Sequence, residues 1–491
     1  MIALVAVVVL LPLLGALAVA VGCQARGAGL ALTTGACGSL AAAVVLGVST
    51  ISHPHTQGLG GFLYVDSLSG FFGITVALVV VLASFGSAAY LRVEQDRGDL
   101  SSFQVRLYFV FFSIFASGML GAFFAGNLGL LWVLIEASTL ASAALVGLEA
   151  KSRSLEAAWK YVIISSFGVT IALVATLFLF YAGAALHLTS DERLTWPYLF
   201  AHAHGLQPSS LRLAFLLAVI GYGTKVGLVP MHTWLPDAHS EAPSPASAML
   251  SAGLLNTGMY AIIRFQAIAR QGLGSRYPGT VLLVFGFLTL FVGVTFMIRR
   301  GNFKRLFAYS SIEHMGIIAI AIGFGGPLGL YGALLQVLNH AIGKSVLFLS
   351  TGHFVLGYKT RESSEVRGAL GALPLAGGVL LLASLAVAGS PPFGVFLSEL
   401  TIVRAGFASA APEVAGAFLL LLVVGFVGLV GTTLAMATGE GPPPLDPYPR
   451  RSGRLLAGLP LVAGLGLLVL LGLWVPGGLN DLILHAVRAI S

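Results

Sequence analysis

Charge is scarce in this sequence, and so are cysteines and motifs for redox or hydrolytic chemistry. Only 9% of the 491 residues are charged, whereas soluble proteins carry roughly 25%. The two cysteines, Cys23 and Cys37, lie in apolar segments without metal-ligand spacing, which argues against a thiolate-held zinc or iron–sulfur site in this chain. We find no phosphate-binding glycine loop, nucleophile motif or basic stripe, so we expect no redox or hydrolytic centre and no nucleic-acid binding.

Apolar residues are abundant instead. Hydrophobic side chains make up 57% of the chain, and the mean hydropathy is +0.94. Runs of ~20 apolar residues, the length of a helix that crosses a bilayer, recur from end to end, and alternating strands of about ten residues are absent. The sequence therefore predicts an all-α polytopic membrane protein, a single transmembrane domain over 1–491 with about fourteen helices. The predicted spans are 2–22, 28–50, 68–91, 105–125, 127–148, 158–185, 211–239, 244–268, 278–298, 305–324, 329–356, 371–408, 412–437 and 455–475.

The positive charges predict the orientation of these spans. Most of the 26 lysine and arginine residues lie in the connections that follow odd-numbered spans. Because positively charged loops stay on the cytoplasmic side, both termini should lie outside. We therefore expect a multi-pass membrane protein of this orientation.

Two of the predicted spans are interrupted by proline. The seventh contains Pro230, and the twelfth contains Pro391 and Pro392. Proline removes a backbone donor and clashes with the preceding turn, so each helix should break there. Broken helices at membrane depth often mark an ion site.

The two interrupted spans also predict internal symmetry. They are five spans apart in the numbering, and this odd offset inverts one block of helices relative to the other. We therefore predict two inverted five-helix repeats, 105–268 for spans 4–8 and 278–437 for spans 9–13.

Four ionisable residues fall deep inside predicted spans: Glu136, Lys225, Lys344 and Glu399. A charge at the bilayer centre costs at least ~2.5–3.5 kcal/mol, so each needs a compensating role. One interpretation is a chain of titratable groups whose protonation is switched by their neighbours. The alternatives are static ion pairs that hold helices together, or lysines that extend to the membrane surface.

Further polar residues accompany these charges inside the spans. His340 lies four residues before Lys344, hence on the same helical face, where a row of polar groups can order a chain of water molecules. Glu313 and His314 are adjacent and differ by ~100° around a helix. One of them can line a pathway while the other meets a neighbouring helix.

Three candidates lie nearer the predicted cytoplasmic side. Lys160, at the start of the sixth span, either extends to the surface or relays protons. His232 and His239 follow Lys225 in a stretch with prolines and a tryptophan that predicts a capped mouth. There they either supply protons to Lys225 or cap a helix.

The stretch KVGLVPMHTWLPDAHSEAPSPASAML, residues 225–250, is the most specific feature of the sequence. It resembles a hallmark segment of the antiporter-like membrane subunits of respiratory complex I, Mrp-type sodium/proton antiporters and energy-converting membrane-bound hydrogenases. Gly-Tyr-Gly-Thr-Lys225, the segment SSIEHMG around Glu313, and the helix that carries Asn256 make it most similar to the hydrogenase-4 component F type. The resemblance extends from about the fourth to the thirteenth span.

This resemblance implies fourteen helices, two inverted five-helix repeats and one proton pathway per subunit. It implies that Glu136 corresponds to the family's glutamate on the fifth helix and pairs with Lys225 of the broken seventh. Lys344 would correspond to the lysine of the eleventh helix, and Glu399 to the terminal acid or lysine of the broken twelfth.

One position departs from the pattern of the family. Asn256 stands where some members carry a central lysine or histidine on the eighth helix. An asparagine can hydrogen-bond water but holds no proton, so the central relay would run through water, Glu313 or His314.

The expected function is that of a proton-translocating membrane subunit in a redox-driven complex. The chain would hold no cofactor, while peripheral redox partners would carry iron–sulfur clusters and, in a hydrogenase, nickel–iron. Other membrane subunits, including related antiporter-like ones, would be further partners. Two alternatives stay open: a subunit of an Mrp-type cation/proton antiporter, and a structural scaffold in the membrane.

Overall fold

Long helices dominate the computed structural model, which describes residues 1–184, 186, 188–299, 301–409, 412–445 and 454–491. A short π-helical turn, Leu250–Leu254, joins the helices Ser244–Met249 and Leu255–Leu273. The only regular strands among the described residues form one two-stranded hairpin. The helices are α1 Ile2–Leu10, α2 Leu14–Ala20, α3 Ala25–Ser52, α4 Ser67–Asp96, α5 Ser102–Phe123, α6 Leu128–Val146, α7 Ser152–Ala182, α8 Trp196–Ala201, α9 Pro208–Val226, α10 Trp234–Glu241, α11 Ser244–Met249, α12 Leu255–Leu273, α13 Arg276–Met297, α14 Phe303–Phe324, α15 Gly326–Tyr358, α16 Ala369–Ala372, α17 Pro374–Val387, α18 Gly394–Phe407, α19 Pro412–Ala437, α20 Arg454–Leu473 and α21 Gly477–Arg488, and the strands are β1 His55–Gly58 and β2 Leu63–Asp66.

Twelve helices in the described part of the chain are long and apolar enough to cross a membrane. The bent pair Ala457–Leu473 and Gly477–Arg488, at 74°, would add a thirteenth. The predicted twelfth span is instead two helices of 14 residues, α17 and α18, with a gap between them. The prediction of an all-helical polytopic membrane protein is confirmed, and the count of fourteen spans stays a prediction.

Polar caps explain why several helices begin earlier than predicted. The tenth span was expected from 305, but α14 begins at Phe303 because the side chain of Asn302 accepts hydrogen bonds from the backbone of its first turn. The sixth was expected from 158, but α7 begins at Ser152. Polar residues in the first turn belong to the helix but not to the apolar run, so the helix begins before the run does.

The centre of the bundle is formed by the helices that carry most of the polar candidates. Every residue of the most apolar window in Ser244–Leu273 and in Gly326–Tyr358 is buried, against 22% for Ile2–Ala20. Small residues allow close packing between helices. At Gly316, for example, a Cβ would lie 2.7 Å from the backbone nitrogen of Leu290, so α13 and α14 touch backbone to backbone.

A buried ion pair that sequence reasoning did not identify ties α4 to α12. Arg264 donates to both carboxylate oxygens of Asp66 at 2.7 and 2.6 Å, and both side chains are almost fully buried. The guanidinium also lies 3.9 Å from the ring centre of Trp196. Asp66 in turn ends β2 and caps α4 by accepting from the backbone of Ser69. One carboxylate thus fixes the hairpin, α4 and α12 together.

Replacing Arg264 by glutamine should destabilise the folded chain by about 3–5 kcal/mol, because Asp66 would remain buried without its partner. Thermal unfolding of the detergent-solubilised protein measures this. Arg276→Gln is the control, since Arg276 is exposed at the start of α13. Equal losses in the two variants would contradict a special role for the pair.

Candidate functional site

Both proline-containing segments lie in gaps between helices. α9 ends at Val226, Gly227 follows in the left-handed conformation with φ 81°, and Pro230 lies in the gap before α10. In the second case, Pro391 and Pro392 lie between α17 and α18. The peptide bonds Val229–Pro230 and Pro391–Pro392 are cis.

The backbone freed at the first gap is bonded by protein groups. Trp234 donates from its indole nitrogen to the carbonyl of Thr224 at 2.8 Å. The backbone nitrogen of Val229 donates to the hydroxyl of Thr289 on α13 at 3.0 Å. The gap is therefore sustained by neighbouring helices, as a break within lipid requires.

Lys225 lies in the last turn of α9 and is fully buried. Its ammonium nitrogen is 2.5 Å from the hydroxyl of Thr139 on α6 and 2.9 Å from that of Tyr161 on α7. The Tyr161 hydroxyl also bonds with Ser142 at 2.7 Å. Lys225 is thus held by neutral hydroxyl groups.

Glu136 lies about one turn before Thr139 on α6. One carboxylate oxygen accepts from Ser166 at 2.6 Å, and the other is buried with no hydrogen-bond partner in the described part of the chain. The resemblance implies a pair between Glu136 and Lys225, but no ion pair joins them among the described residues. Ser166 and Thr139 bind the two charged groups separately.

Lys344 and His340 lie on one face of α15 and are fully buried. The Lys344 ammonium donates to the backbone carbonyl of Phe307 on α14 at 3.3 Å, and no ion pair to a carboxylate is found within the described chain. A ring nitrogen of His340 lies 3.3 Å from the carbonyl of Ser251. The ring centres of His340 and His314 are 5.1 Å apart.

The π-helical turn Leu250–Leu254 lies beside His340. Such turns break the regular bonding pattern of an α-helix and often occur at functional sites. Here the carbonyl of Ser251 faces His340, and its hydroxyl bonds with Ser311 on α14 at 2.7 Å. Asn256, one turn further on, donates to its own helix backbone, while its buried side-chain oxygen has no partner among the described residues.

His239 lies deeper than expected for a residue at a capped mouth. It is fully buried, and its ring packs between Trp234, at 6.1 Å, and Phe348, at 5.6 Å. Trp234 in turn stacks on Tyr161 at 4.5 Å, and the charge of Lys344 acts on the His239 ring. Because α10 folds back into the bundle, this ring lies between the surroundings of the two buried lysines, and its role in proton supply or helix capping stays a prediction.

His232 and Lys160 lie nearer the surface. His232 is half-buried in the gap after α9, and its Nδ1 atom has no partner in the described chain. Lys160 is 47% exposed and pairs with Glu156 at 2.6 Å and with Asp237 at 3.4 Å. Asp237 also binds Arg305 at 2.8 Å. Lys160 therefore belongs to a surface cluster and not to the buried row.

Glu313 and His314 point to different neighbours, as their offset around the helix implies. The carboxylate of Glu313 accepts from Ser310 at 3.3 Å and lies against Gly425 of α19, where any Cβ would overlap it. His314 lies 2.9 Å from the side chain of Gln336 on α15.

Glu399 lies in the first half of α18, after the second gap. It is buried, and its carboxylate lies against Gly389 of the gap, where a Cβ would overlap it. Ser398 donates to Gln336, the residue that also contacts His314. A polar connection therefore runs from α14 through α15 to α18.

Sequence reasoning missed the partners of the lysines and one further lysine. The hydroxyls of Thr139 and Tyr161 carry no special sequence signal, because both residue types are common in apolar helices. Lys304 is 1% exposed, yet it falls one residue before the predicted start of the tenth span. Recognising Asn302 as the cap of α14 would have placed it inside the helix.

Three comparisons bear on this arrangement. A family model described as "NADH:quinone oxidoreductase/Mrp antiporter, TM" matches residues 125–425. The chain is 37% identical over 394 residues to the hydrogenase-4 component F homolog of Methylacidiphilum infernorum, which covers 80% of this chain and 82% of that protein.

Solved structures share the fold. A chain of the membrane-bound sulfane sulfur reductase, an archaeal respiratory membrane complex, superposes with a TM-score of 0.82 at 24% identity, covering 99% of this chain and 97% of that one. A chain of the Mrp complex from Dietzia sp. DQ12-45-1b gives 0.83 at 22% identity, covering 100% and 98%. With the family match over residues 125–425 and the 37% identical relative, the chain belongs to the NADH:quinone oxidoreductase/Mrp antiporter family of transmembrane subunits.

Proposed function

We propose that this chain is a proton-translocating membrane subunit of a redox-driven complex of the group 4 membrane-bound hydrogenase or complex I-like type. The observation that carries the proposal is a row of titratable side chains inside the bundle. The row comprises the half-buried Glu136 and seven buried residues: Lys225, His239, His340, Lys344, His314, Glu313 and Glu399.

The partners of the two buried lysines are suited to proton exchange. A hydroxyl both donates and accepts, so Thr139 and Tyr161 can bond the ammonium form of Lys225 and also its neutral amine. A lysine in a tight ion pair would instead leave an unpaired carboxylate when it lost its proton, at a cost of several kcal/mol. Neutral partners therefore let the proton leave without breaking an ion pair.

Several polar atoms along the row point to water between the titratable groups. Within the described chain, Glu136, His239, His340 and Asn256 each have one buried side-chain atom without a protein hydrogen bond. Leaving such an atom unsatisfied costs about 1–3 kcal/mol, and water bridges are the usual remedy in polar interiors. Water placed at these atoms would connect neighbouring members of the row.

The two gaps fit the proposed inverted repeats, 105–268 and 278–437. Each block contains one broken helix, α9–α10 in the first and α17–α18 in the second. Each also contains a buried lysine, Lys225 or Lys344. We infer that the first block opens toward one side of the membrane and the second toward the other, with the contact between the π-helical turn Leu250–Leu254 and α15 at the centre.

The partners, their cofactors and the location of the complex are proposed from the relatives. The family description names NADH:quinone oxidoreductase, and the relative described above is a hydrogenase-4 component F homolog. We propose that peripheral partners carry iron–sulfur clusters and, in a hydrogenase, nickel–iron, and that related antiporter-like subunits flank this one. The complex would lie in the inner membrane of a bacterium or archaeon, with both termini of this chain outside.

An Mrp-type cation/proton antiporter subunit is the second candidate, favoured by the superposition on a chain of an Mrp complex. Purification of the native complex separates the two. Partner chains that contain iron–sulfur or nickel centres support the redox-driven pump. Sister antiporter subunits without such centres, together with sodium-dependent proton release from vesicles, would support cation exchange instead.

Lys225→Met should lower redox-driven proton uptake by inverted membrane vesicles by about tenfold or more, because methionine fills the space but holds no proton. Arg276→Gln is the control, since Arg276 is an exposed cation at the start of α13. Dye quenching measures uptake, and immunoblotting shows whether the complex assembles. Undiminished pumping by an assembled Lys225→Met complex would support the scaffold alternative.

Glu399→Gln should reduce pumping to a similar degree, since glutamine keeps the shape and polarity of the side chain beside Gly389 but cannot ionise. Glu413→Gln, at an exposed position in the first turn of α19, serves as its control. The ratio of protons taken up to electrons transferred is the decisive quantity. A ratio equal to that of the control would remove Glu399 from the pathway.

Tyr161→Phe and Thr139→Val each remove one hydroxyl from Lys225 while keeping the packing volume. We expect each to slow pumping several-fold and the double variant to approach the loss seen in Lys225→Met, because the lysine would then be buried without a partner. Initial rates of uptake at saturating substrate test this. Equal rates in all three variants and the parent chain would show that these hydroxyls only pack.

A further inference from the structure

A polar depression lies on the face formed by the connections that follow odd-numbered spans, the predicted cytoplasmic face. Two adjoining cavities of about 690 and 490 Å³ share the lining residues Arg153, Glu241, Asn302 and Glu362, so they form one continuous recess. Its walls come from the ends of α4, α6, α7, α10, α14 and α15. We call this recess the charged vestibule.

Two acidic residues of the vestibule bind one of its arginines, Arg361. Arg361 binds Glu241 at 2.5 Å and Glu149 at 3.5 Å, and Glu149 also binds Lys151 at 2.8 Å. Glu94 lines the same recess and is only 8% exposed. Burial favours loss of the Arg361 proton, but the charge of Glu241 outweighs it and raises the pKa of Arg361, so the arginine stays charged.

Lys304 lies beneath this ring of carboxylates. Its side chain is 1% exposed, and its nitrogen lies 2.5 Å from the backbone carbonyl of Ala242, the residue next to Glu241. The charges that act on it come from Arg361, Glu149, Glu241 and Glu94. Among the described residues it forms no ion pair, so a buried amine lies just inside the vestibule with one carbonyl as its partner.

Two connections lead from Lys304 into the buried row. The carbonyl of Ala242 also accepts from Ser247 at 3.2 Å, and Ser247 donates to the backbone of His239 at 2.8 Å. The charge of Lys304 acts on the His239 ring, whose Nε2 atom has no hydrogen bond in the described chain. One turn along α14, the carbonyl of Phe307 accepts from Lys344.

We propose that the charged vestibule is the entrance for protons from the predicted cytoplasmic side, and that Lys304 is the first buried relay between its carboxylates and His239. This inference rests on the proposed function of the chain. A proton from water binds Glu94, a vestibule carboxylate outside the two ion pairs of Arg361, passes to the neutral amine of Lys304, and leaves the resulting ammonium for Nε2 of His239. Each transfer forms one bond to hydrogen and breaks one, so no other reactant is needed.

A purely structural role for Lys304 makes a different prediction. Its ammonium binds the carbonyl that follows the C-terminal end of α10, where a fixed positive charge stabilises a helix. Arginine would supply that charge equally well, but it does not release a proton in proteins. The response to arginine therefore separates a relay from a helix cap.

The experiment uses the whole complex with its native partner subunits, reconstituted in proteoliposomes and driven by its own electron-transfer substrates. Lys304→Met and Lys304→Arg are compared with Arg276→Gln, which changes an exposed cation outside the vestibule, and the proton-to-electron ratio and the amount of assembled complex are measured. We expect both Lys304 variants to lose about tenfold or more in pumping, with the control unchanged. Restored pumping in Lys304→Arg would overturn the proposal in favour of a helix cap.

Two further variants keep the inference separate from the function on which it rests. If Lys304→Met pumps normally while Lys225→Met does not, the proposed entrance is wrong, but the proposed pumping function is supported. If Lys225→Met and Glu399→Gln pump normally as well, the proposed function itself fails. Should neither Lys304 variant assemble, Glu94→Gln decides: we expect a several-fold lower uptake rate, and a rate equal to that of Arg276→Gln would overturn the proposal.

Discussion

The structure depends on the cost of placing ionisable groups where water is excluded. A buried charge costs several kcal/mol unless it is paired, and pairing fixes its protonation state. The chain uses both solutions in different places. Asp66 and Arg264 are paired with two short hydrogen bonds and hold three elements together. Lys225 and Lys344 bond instead to hydroxyl or carbonyl oxygens, so the charge on each remains adjustable.

The helix gaps and the π-helical turn make this second solution feasible. A regular helix uses its own carbonyl groups, so a buried lysine or histidine beside it finds few backbone partners. The turn at Leu250–Leu254 presents the carbonyl of Ser251 to His340, and the first gap lets Trp234 fold back between Tyr161 and His239. Local departures from regular structure thereby bring side chains of α7, α10 and α15 into one row.

The sequence predicted the fold more fully than the site. Long apolar runs determine the helices, and proline at 230 and at 391–392 marks the gaps, because both signals act through local backbone chemistry. The burial of Lys304 and His239 was not predictable in this way, since it depends on how α10 and the start of α14 pack in the bundle. The Asp66–Arg264 pair joins residues 198 positions apart, beyond the reach of any local pattern.

A row of groups whose protonation can change also explains why such a chain would function as one subunit of a complex. Lys344 is within electrostatic reach of Glu313, and Glu313 of Glu399, so the charge state of one group changes the proton affinity of the next. Such coupling is reciprocal and supplies no energy by itself. Net movement of protons against their gradient requires an external step that resets the protonation state of the group at one end of the row. Glu136 on α6 and Glu399 after the second gap are the groups through which a neighbouring subunit could apply that reset, because the proposed row ends at them.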